Sequence, residues 1–288
     1  MLVTWTDCNP RRIRHNFMLR GTHVAPSHGT VIPMKLTILG CTGSLGAPKG
    51  PASGYLLRGT RGPAVIMDFG PGTLAALQEV QDPADAHVMF SHLHADHCMD
   101  FPSLMVWRRY HPASAAPARN LCCGPIDLPT RMGRLSSDIE GEVDDMSDSF
   151  AFVPWRHGEA QIVADFTVTP YSVVHPIEAY GLRVEEPATG RVLAYSGDTG
   201  WCENLIELAR GADVFLCEAT WGDESQGKPE AMHLSGQEAG RAARLAGVRA
   251  LVLVHIPPWV DQDATVAAAR TEFDGEILLG RAGMALSV

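Results

Sequence analysis

Ser91-His92-Leu93-His94-Ala95-Asp96-His97 follows the apolar run Val88-Met89-Phe90. Three imidazoles and a carboxylate fall between positions 92 and 97. In an extended chain, residues two apart face the same side, so His92 and His94 can address one ion. Asp96 and His97 enter a turn beyond it and can address a second ion alongside. Neutral imidazole and carboxylate suit Zn, Mn or Fe. The competing reading is a polar loop of stacked histidines. It is the weaker one, because histidines that merely satisfy a core do not gather in this way.

Four further candidates lie where apolar runs end. His175 closes the run 167–174, and Asp198 follows Leu193-Ala194-Tyr195-Ser196-Gly197. His233 precedes Leu234-Ser235 at an expected helix start, and His255 closes Leu251-Val252-Leu253-Val254. Each alone reads as an ordinary surface residue. Together they repeat one topological position, the carboxyl end of a strand, where open α/β sheets place ligands.

The 288 residues suit one large domain or two small ones. Apolar residues at 45% and charged residues at 19% exclude a disordered chain. The net charge of −10 argues against a general nucleic-acid binder, which needs a basic face. Purely aliphatic stretches such as 250–254 are too short to cross a bilayer. Seven cysteines, with no Cys-x-x-Cys pair, exclude a complete disulfide framework, a zinc ribbon and a thioredoxin-type site. The expectation is free thiols in a cytoplasmic protein.

Residues 1–33 carry Arg11, Arg12, Arg14 and Arg20 without apolar periodicity, and read as a basic, disordered extension ahead of one domain at 34–288. Strand patterns recur at 35–39, 54–58, 64–68, 87–90, 150–153, 166–174, 180–185, 192–196, 213–217, 250–254 and 276–279. Helical patterns fall near 72–80, 100–110, 202–210, 235–246 and 262–273. Hairpins come early in each half and strand–helix units later, which suggests helices outside packed sheets. The acidic stretch Ser136–Ser149 reads as an exposed loop or a partly ordered flap. Leu39-Gly40-Cys41-Thr42-Gly43-Ser44-Leu45-Gly46 superficially matches a dinucleotide fingerprint. The Pro- and Gly-rich stretch Ala47 to Gly54 cannot form the helix that such a site requires.

With these residues in order, the chain resembles the metallo-β-lactamase-fold superfamily. It is most similar to the phosphodiesterase branch that holds ribonuclease Z and the class II-like cyclic-nucleotide phosphodiesterases. The resemblance runs from Lys35 to about Val288. It rests on Met67-Asp68-Phe69-Gly70, the His-x-His-x-Asp-His signature, His175, Ser196-Gly197-Asp198-Thr199 and His255 before Ile256-Pro257-Pro258. Glu218-Ala219-Thr220 and His233-Leu234-Ser235 resemble segments of the ribonuclease Z-like branch. Trp107-Arg108-Arg109-Tyr110-His111-Pro112 is similar to an actinobacterial group of atypical cyclic-nucleotide phosphodiesterases.

The resemblance implies an α/β fold, a four-layer αββα sandwich with the site at one edge. It implies two divalent metal ions, Zn first, with Mn or Fe as alternatives. His92, His94 and His175 would hold one, Asp96, His97 and His255 the other, and Asp198 would bridge them. Asp68 would orient a ligand histidine through hydrogen bonds. His233 is the candidate proton donor to the leaving group, and Asp96 the candidate acceptor from the attacking water. Glu218 either orients His233 or is a buried carboxylate bonded to backbone. Arg108 and Arg109 either hold a phosphate or stack on a base, or form an exposed helix face. His15, His23, His28, His87, His111 and His157 have no evident role.

The implied activity is metal-dependent hydrolysis of a small cyclic nucleotide, 3′,5′-cAMP to AMP first, by a metal-activated hydroxide. The alternatives are a ribonuclease Z-like nuclease and a lactone, β-lactam, thioester or sulfate-ester hydrolase; a binding module without turnover stands furthest off. The region between Phe101 and Phe166 is acidic and contains no basic arm for tRNA. A nucleotide substrate, no membrane partner and a homodimer are the further expectations.

Overall fold

A computed structural model describes residues 34–288. The expectations for residues 1–33 lie outside the described residues. Among the described residues, fourteen strands form two seven-stranded mixed sheets. In chain order, the strands of the first sheet are β1 (Lys35–Gly40), β2 (Gly54–Arg58), β3 (Ala64–Met67), β4 (Ala86–Met89), β5 (Asn120–Gly124) and β6 (Phe150–Pro154). Those of the second are β7 (Gln161–Val163), β8 (Phe166–Ser172), β9 (Tyr180–Glu186), β10 (Arg191–Tyr195), β11 (Val214–Glu218), β12 (Ala250–Val254) and β13 (Glu276–Leu279). The last strand, β14 (Ala285–Ser287), returns to the first sheet beside β1. The helices are α1 (Thr73–Gln78), α2 (Ala95–Cys98), α3 (Phe101–Tyr110), α4 (Leu128–Ser136), α5 (Glu203–Ala209), α6 (Gly236–Ala246) and α7 (Gln262–Arg270).

The two sheets share a plan. Strands β1 to β3 pair antiparallel, and β3 to β6 continue parallel. Strands β7 to β10 pair antiparallel, and β10 to β13 continue parallel. Hairpins first and strand–helix units later is the order the sequence predicts. Side-chain alternation then builds three cores. Val65 and Met67 of β3, Leu216 of β11 and Val252 of β12 face inward between the sheets. Ile66 and Val88 face the helices outside the first sheet, and Phe215, Leu251 and Leu253 face those outside the second. Period-2 geometry sends consecutive apolar residues to opposite faces, so strands buried on both sides read as unbroken apolar runs. Two sheets face to face with helices outside is the expected α/β sandwich.

Five elements escape the sequence patterns: β5, β7, β14, α2 and α4. Strand β5 is Asn-Leu-Cys-Cys-Gly, whose composition signals a turn, yet it lies between β4 and β6. Helix α4 contains Pro129 and Gly133. The Gly133 position is required because an added Cβ would meet the Asp144 carbonyl oxygen at 2.5 Å. Strand β8 ends at Ser172, short of the expected 174. Among the described residues no helix is long and apolar enough to cross a membrane. The six described cysteines are free thiols.

Candidate metal centre

The ligand candidates come from both sheets. Beyond β4 the chain carries His92, then His94 at the start of α2, with Asp96 and His97 inside it. His175 follows β8, Asp198 follows β10 and His255 follows β12. Two non-glycine residues here hold left-handed backbone, Asp68 at φ 57° and His255 at φ 56°. Such conformations are costly and collect at functional sites. Close packing also fixes the frame. A Cβ at Gly70 would lie 1.9 Å from the Asp96 carbonyl oxygen, and one at Gly43 would lie 2.3 Å from that of His255.

Two groups of donors share Asp198, and a third, Glu218, His233 and His255, adjoins them. In the first, His94 Nδ1 lies 3.1 Å from His92 Nε2 and 3.0 Å from His175 Nε2, and Asp198 Oδ2 lies 3.6 Å from His92 Nε2. In the second, His255 Nε2 lies 3.1 Å from His97 Nε2, 2.9 Å from Asp96 Oδ2 and 3.4 Å from Asp198 Oδ2. Asp198 Oδ1 reaches His97 Nε2 at 3.3 Å, so this one carboxylate touches both groups. Each of the first two groups has three imidazoles, or two imidazoles and an acid, plus Asp198.

The opposite ring nitrogens are occupied. His97 Nδ1 bonds Asp68 Oδ2 at 2.8 Å, and His255 Nδ1 bonds Thr220 Oγ1 at 2.8 Å. His175 Nδ1 donates to the Met232 carbonyl at 2.9 Å, and His92 Nδ1 lies 3.0 Å from Ser91 Oγ. With Nδ1 engaged in this way, Nε2 of these four rings faces the cluster, whereas His94 faces it with Nδ1. Asp68 also accepts from Ser91 N and Oγ, both at 2.7 Å, and from Tyr195 Oη at 2.6 Å.

Electrostatics agree with a cation site. Burial opposes ionisation of Asp96, yet hydrogen bonds and charge from His255 and His97 hold it well below the usual carboxylate range. Asp198, more deeply buried, is likewise held down by His255, His97 and His92. Burial keeps His92 neutral, the form a metal ligand needs. Asp198 Oδ1 is buried and has no hydrogen-bond partner among the described residues. A buried carboxylate oxygen without a partner is costly, and a cation between the two groups relieves it. The donor set therefore fits divalent metal ions.

Beside this cluster stands a second pair. His233 Nδ1 lies 3.0 Å from Glu218 Oε1 and 3.9 Å from Asp198 Oδ2. Burial disfavours a charged imidazole at His233, but Glu218, by charge and hydrogen bond, and Asp198 carry its pKa up to about 9. Both contacts expected of Glu218 are present. Oε1 also accepts from Thr199 N at 2.6 Å, so the carboxylate is bonded to backbone and to His233 together.

Arg108 and Arg109 require a correction, because neither guanidinium is free for substrate. Arg108 is only 2% exposed and lies 4.4 Å over the Phe150 ring. It donates to the carbonyls of Ala84 at 2.7 Å, Ala118 at 2.9 Å and Ser149 at 3.0 Å. Arg109 pairs with Asp144, with Asp148 at 2.8 Å and with the Asp145 carbonyl at 2.6 Å. The 144–149 end of the acidic stretch, expected as an exposed loop or a partly ordered flap, is thus pinned to α3. Burying a cation demands this many acceptors, and they come from segments that local sequence cannot bring together. Arg108→Met, which leaves those carbonyls unpaired, is expected to lower unfolding stability by about 3 kcal/mol in urea titration. Activity per folded molecule should stay near that of the parent.

No local pattern marks the contacts of Thr220, Ser91, Tyr195 or the Met232 carbonyl. Each acts through a contact made by the fold, although Thr220 does lie within the Glu-Ala-Thr segment.

Comparison with known proteins agrees with this geometry. Residues 64–256 match the family model described as "Beta-lactamase superfamily domain". The chain is 51% identical over 255 residues to an uncharacterized protein of Mycobacterium tuberculosis, covering 88% of this chain and 92% of that one. It is 28% identical over 268 residues to ribonuclease Z of Methanosarcina acetivorans, covering 77% and 87% respectively. Among solved structures, the metallo-beta-lactamase fold protein YhfI from Bacillus subtilis is similar with a TM-score of 0.78 at 23% identity, covering 88% of this chain and 99% of that chain.

Proposed function

Because the chain belongs to the beta-lactamase superfamily and is a metal-dependent hydrolase, we propose that it is a binuclear-metal phosphodiesterase acting on a small cyclic nucleotide, 3′,5′-cAMP first. The observation that carries this reading is Asp198, whose two oxygens reach His97 on one side and His92 and His255 on the other. One carboxylate shared by two donor groups suits a pair of ions. His92, His94 and His175 would hold the first, Asp96, His97 and His255 would hold the second, and Asp198 would serve both. Zn suits the imidazole-rich set, with Mn and Fe as alternatives. When bound, such ions supply an acidified water and positive charge for the oxygens of a phosphodiester.

The protein's own residues do the rest. Asp68 and Thr220 fix the rings of His97 and His255. Asp96 remains a carboxylate between two imidazoles and accepts the proton of the attacking water. An alkoxide leaving group needs a proton, and His233 delivers it from Nε2 while Glu218 holds Nδ1. A nitrophenolate leaves without such help, so the His233–Glu218 pair favours an ester with a poor leaving group. The net charge of −10 favours a mononucleotide over a long polyanion.

The likeness to ribonuclease Z keeps an RNA-processing nuclease as the second reading. One substrate panel separates the two. Protein loaded with Zn or Mn, with metal per chain measured by elemental analysis, is assayed on cAMP, bis(p-nitrophenyl) phosphate, a short RNA and a lactone. Turnover of cAMP with about two ions per chain is the expected result. RNA cleavage with cAMP untouched promotes the second reading, and lactone turnover alone overturns both.

A further inference from the structure

The segment between β11 and α6 carries His233, and it is held at several points. Trp221 N donates to the Leu234 carbonyl at 3.0 Å and Gly236 N to that of Gly222 at 2.7 Å, which close the base of the loop. Met232 accepts from ligand candidate His175. Lys228, at the far side of the loop, turns back into it. Its Nζ donates to the His233 carbonyl at 2.7 Å and pairs with Glu238 Oε2 at 2.7 Å. The lysine side chain is only 13% exposed.

Its placement runs against two ordinary preferences. Lysines in surface loops keep the ammonium in water. A cation is also unfavourable at the positive N-terminal end of a helix, and Glu238 lies in the first turn of the eleven-residue α6. Glu238 already serves that helix, since Oε2 accepts from Ser235 N at 2.9 Å in a capping box. The helix therefore has its cap without Lys228. What Lys228 adds is a bond to the backbone of His233, tying that carbonyl to the rigid first turn of α6.

We propose that Lys228 is a positioning residue for His233. It fixes the peptide of the proton donor against α6, while Glu218 fixes the ring. The imidazole is then set by two independent anchors, one on backbone and one on side chain. Proton transfer to a leaving oxygen is steep in distance, so loosening one anchor costs rate although the acid itself remains. The proposal rests on the reading of His233 as proton donor.

The test compares Lys228→Met and Lys228→Arg with His233→Ala in the metal-loaded full-length protein, using cAMP and bis(p-nitrophenyl) phosphate. Lys228→Met is expected to lower kcat on cAMP by about 10–100-fold, with KM and bound metal unchanged and the nitrophenyl ester affected by less than about threefold. Lys228→Arg, which keeps a donor and a charge, should recover most of the loss. The Nδ1 proton resonance of His233 should broaden or shift in Lys228→Met and return in Lys228→Arg. Equal losses on both substrates together with lost metal would mean a merely structural lysine and overturn the proposal. So would full activity of Lys228→Met beside a leaving-group-dependent His233→Ala, which leaves the His233 reading standing. A His233→Ala without leaving-group dependence removes the proton-donor reading, and the role of Lys228 with it.

Discussion

Asp198→Ala is expected to reduce bound metal from about two ions to one or fewer and to lower turnover of cAMP by on the order of 10³-fold. The reason is its position. Among the described residues, Asp198 alone of the carboxylates touches imidazoles of both donor groups, with contacts of 3.3 to 3.6 Å to His97, His255 and His92. Removing it takes one donor and one negative charge from each group at once. The neutral imidazoles left behind carry no charge to offset the mutual repulsion of two neighbouring cations, which the lost anion would have balanced. Elemental analysis after desalting, alongside steady-state rates, reads both effects. A variant that keeps two ions and near-parental turnover would sink the bridging role. Asp198→Asn sharpens the point: it preserves the shape but not the charge, and should behave like Asp198→Ala.

The second large effect is expected at His233. His233→Ala should retain both ions, because the ring is 3.9 Å from Asp198 and belongs to neither ligand group in the proposed assignment. Turnover of cAMP should fall roughly 10²–10⁴-fold, the usual contribution of a positioned acid. The loss on bis(p-nitrophenyl) phosphate should be far smaller, since nitrophenolate leaves unprotonated. Parallel losses on the two esters would count against proton donation. His233→Asn probes the same step differently, supplying a hydrogen-bond donor without an ionisable proton, and should leave most of the cAMP defect in place.

Helices outside packed sheets were legible because those signals are local, while the four-layer sandwich was implied by the resemblance. Unbroken apolar runs such as 250–254 mark strands buried on both faces, and hairpins followed by strand–helix units recur in both sheets. Strand β5 was not legible, since Asn120 and Gly124 disguise a segment whose strand character comes from its neighbours β4 and β6. Helix α4 hid for the same reason behind Pro129 and Gly133.

The candidate site divides in the same way. His92, His94, Asp96 and His97 stand out in six consecutive positions, and strand ends point to His175, Asp198 and His255. That these residues converge is settled by the fold: His97 and His255 meet across 158 positions of chain. The two arginines show the opposite outcome. They stand beside one another in a motif-like phrase, but α3 directs Arg108 into a nest of carbonyls and Arg109 toward Asp144 and Asp148.

By itself, then, the amino-acid order determined which chemical groups are available and the ends of strands from which they project, because both depend on residue type and on short-range periodicity. Only the tertiary structure decided which ring nitrogens face inward, which carboxylate spans the two groups, and that Lys228 holds the backbone of His233. Those are matters of contact between distant segments, and hydrogen bonds are made at about 3 Å, a scale that spacing along a chain does not encode.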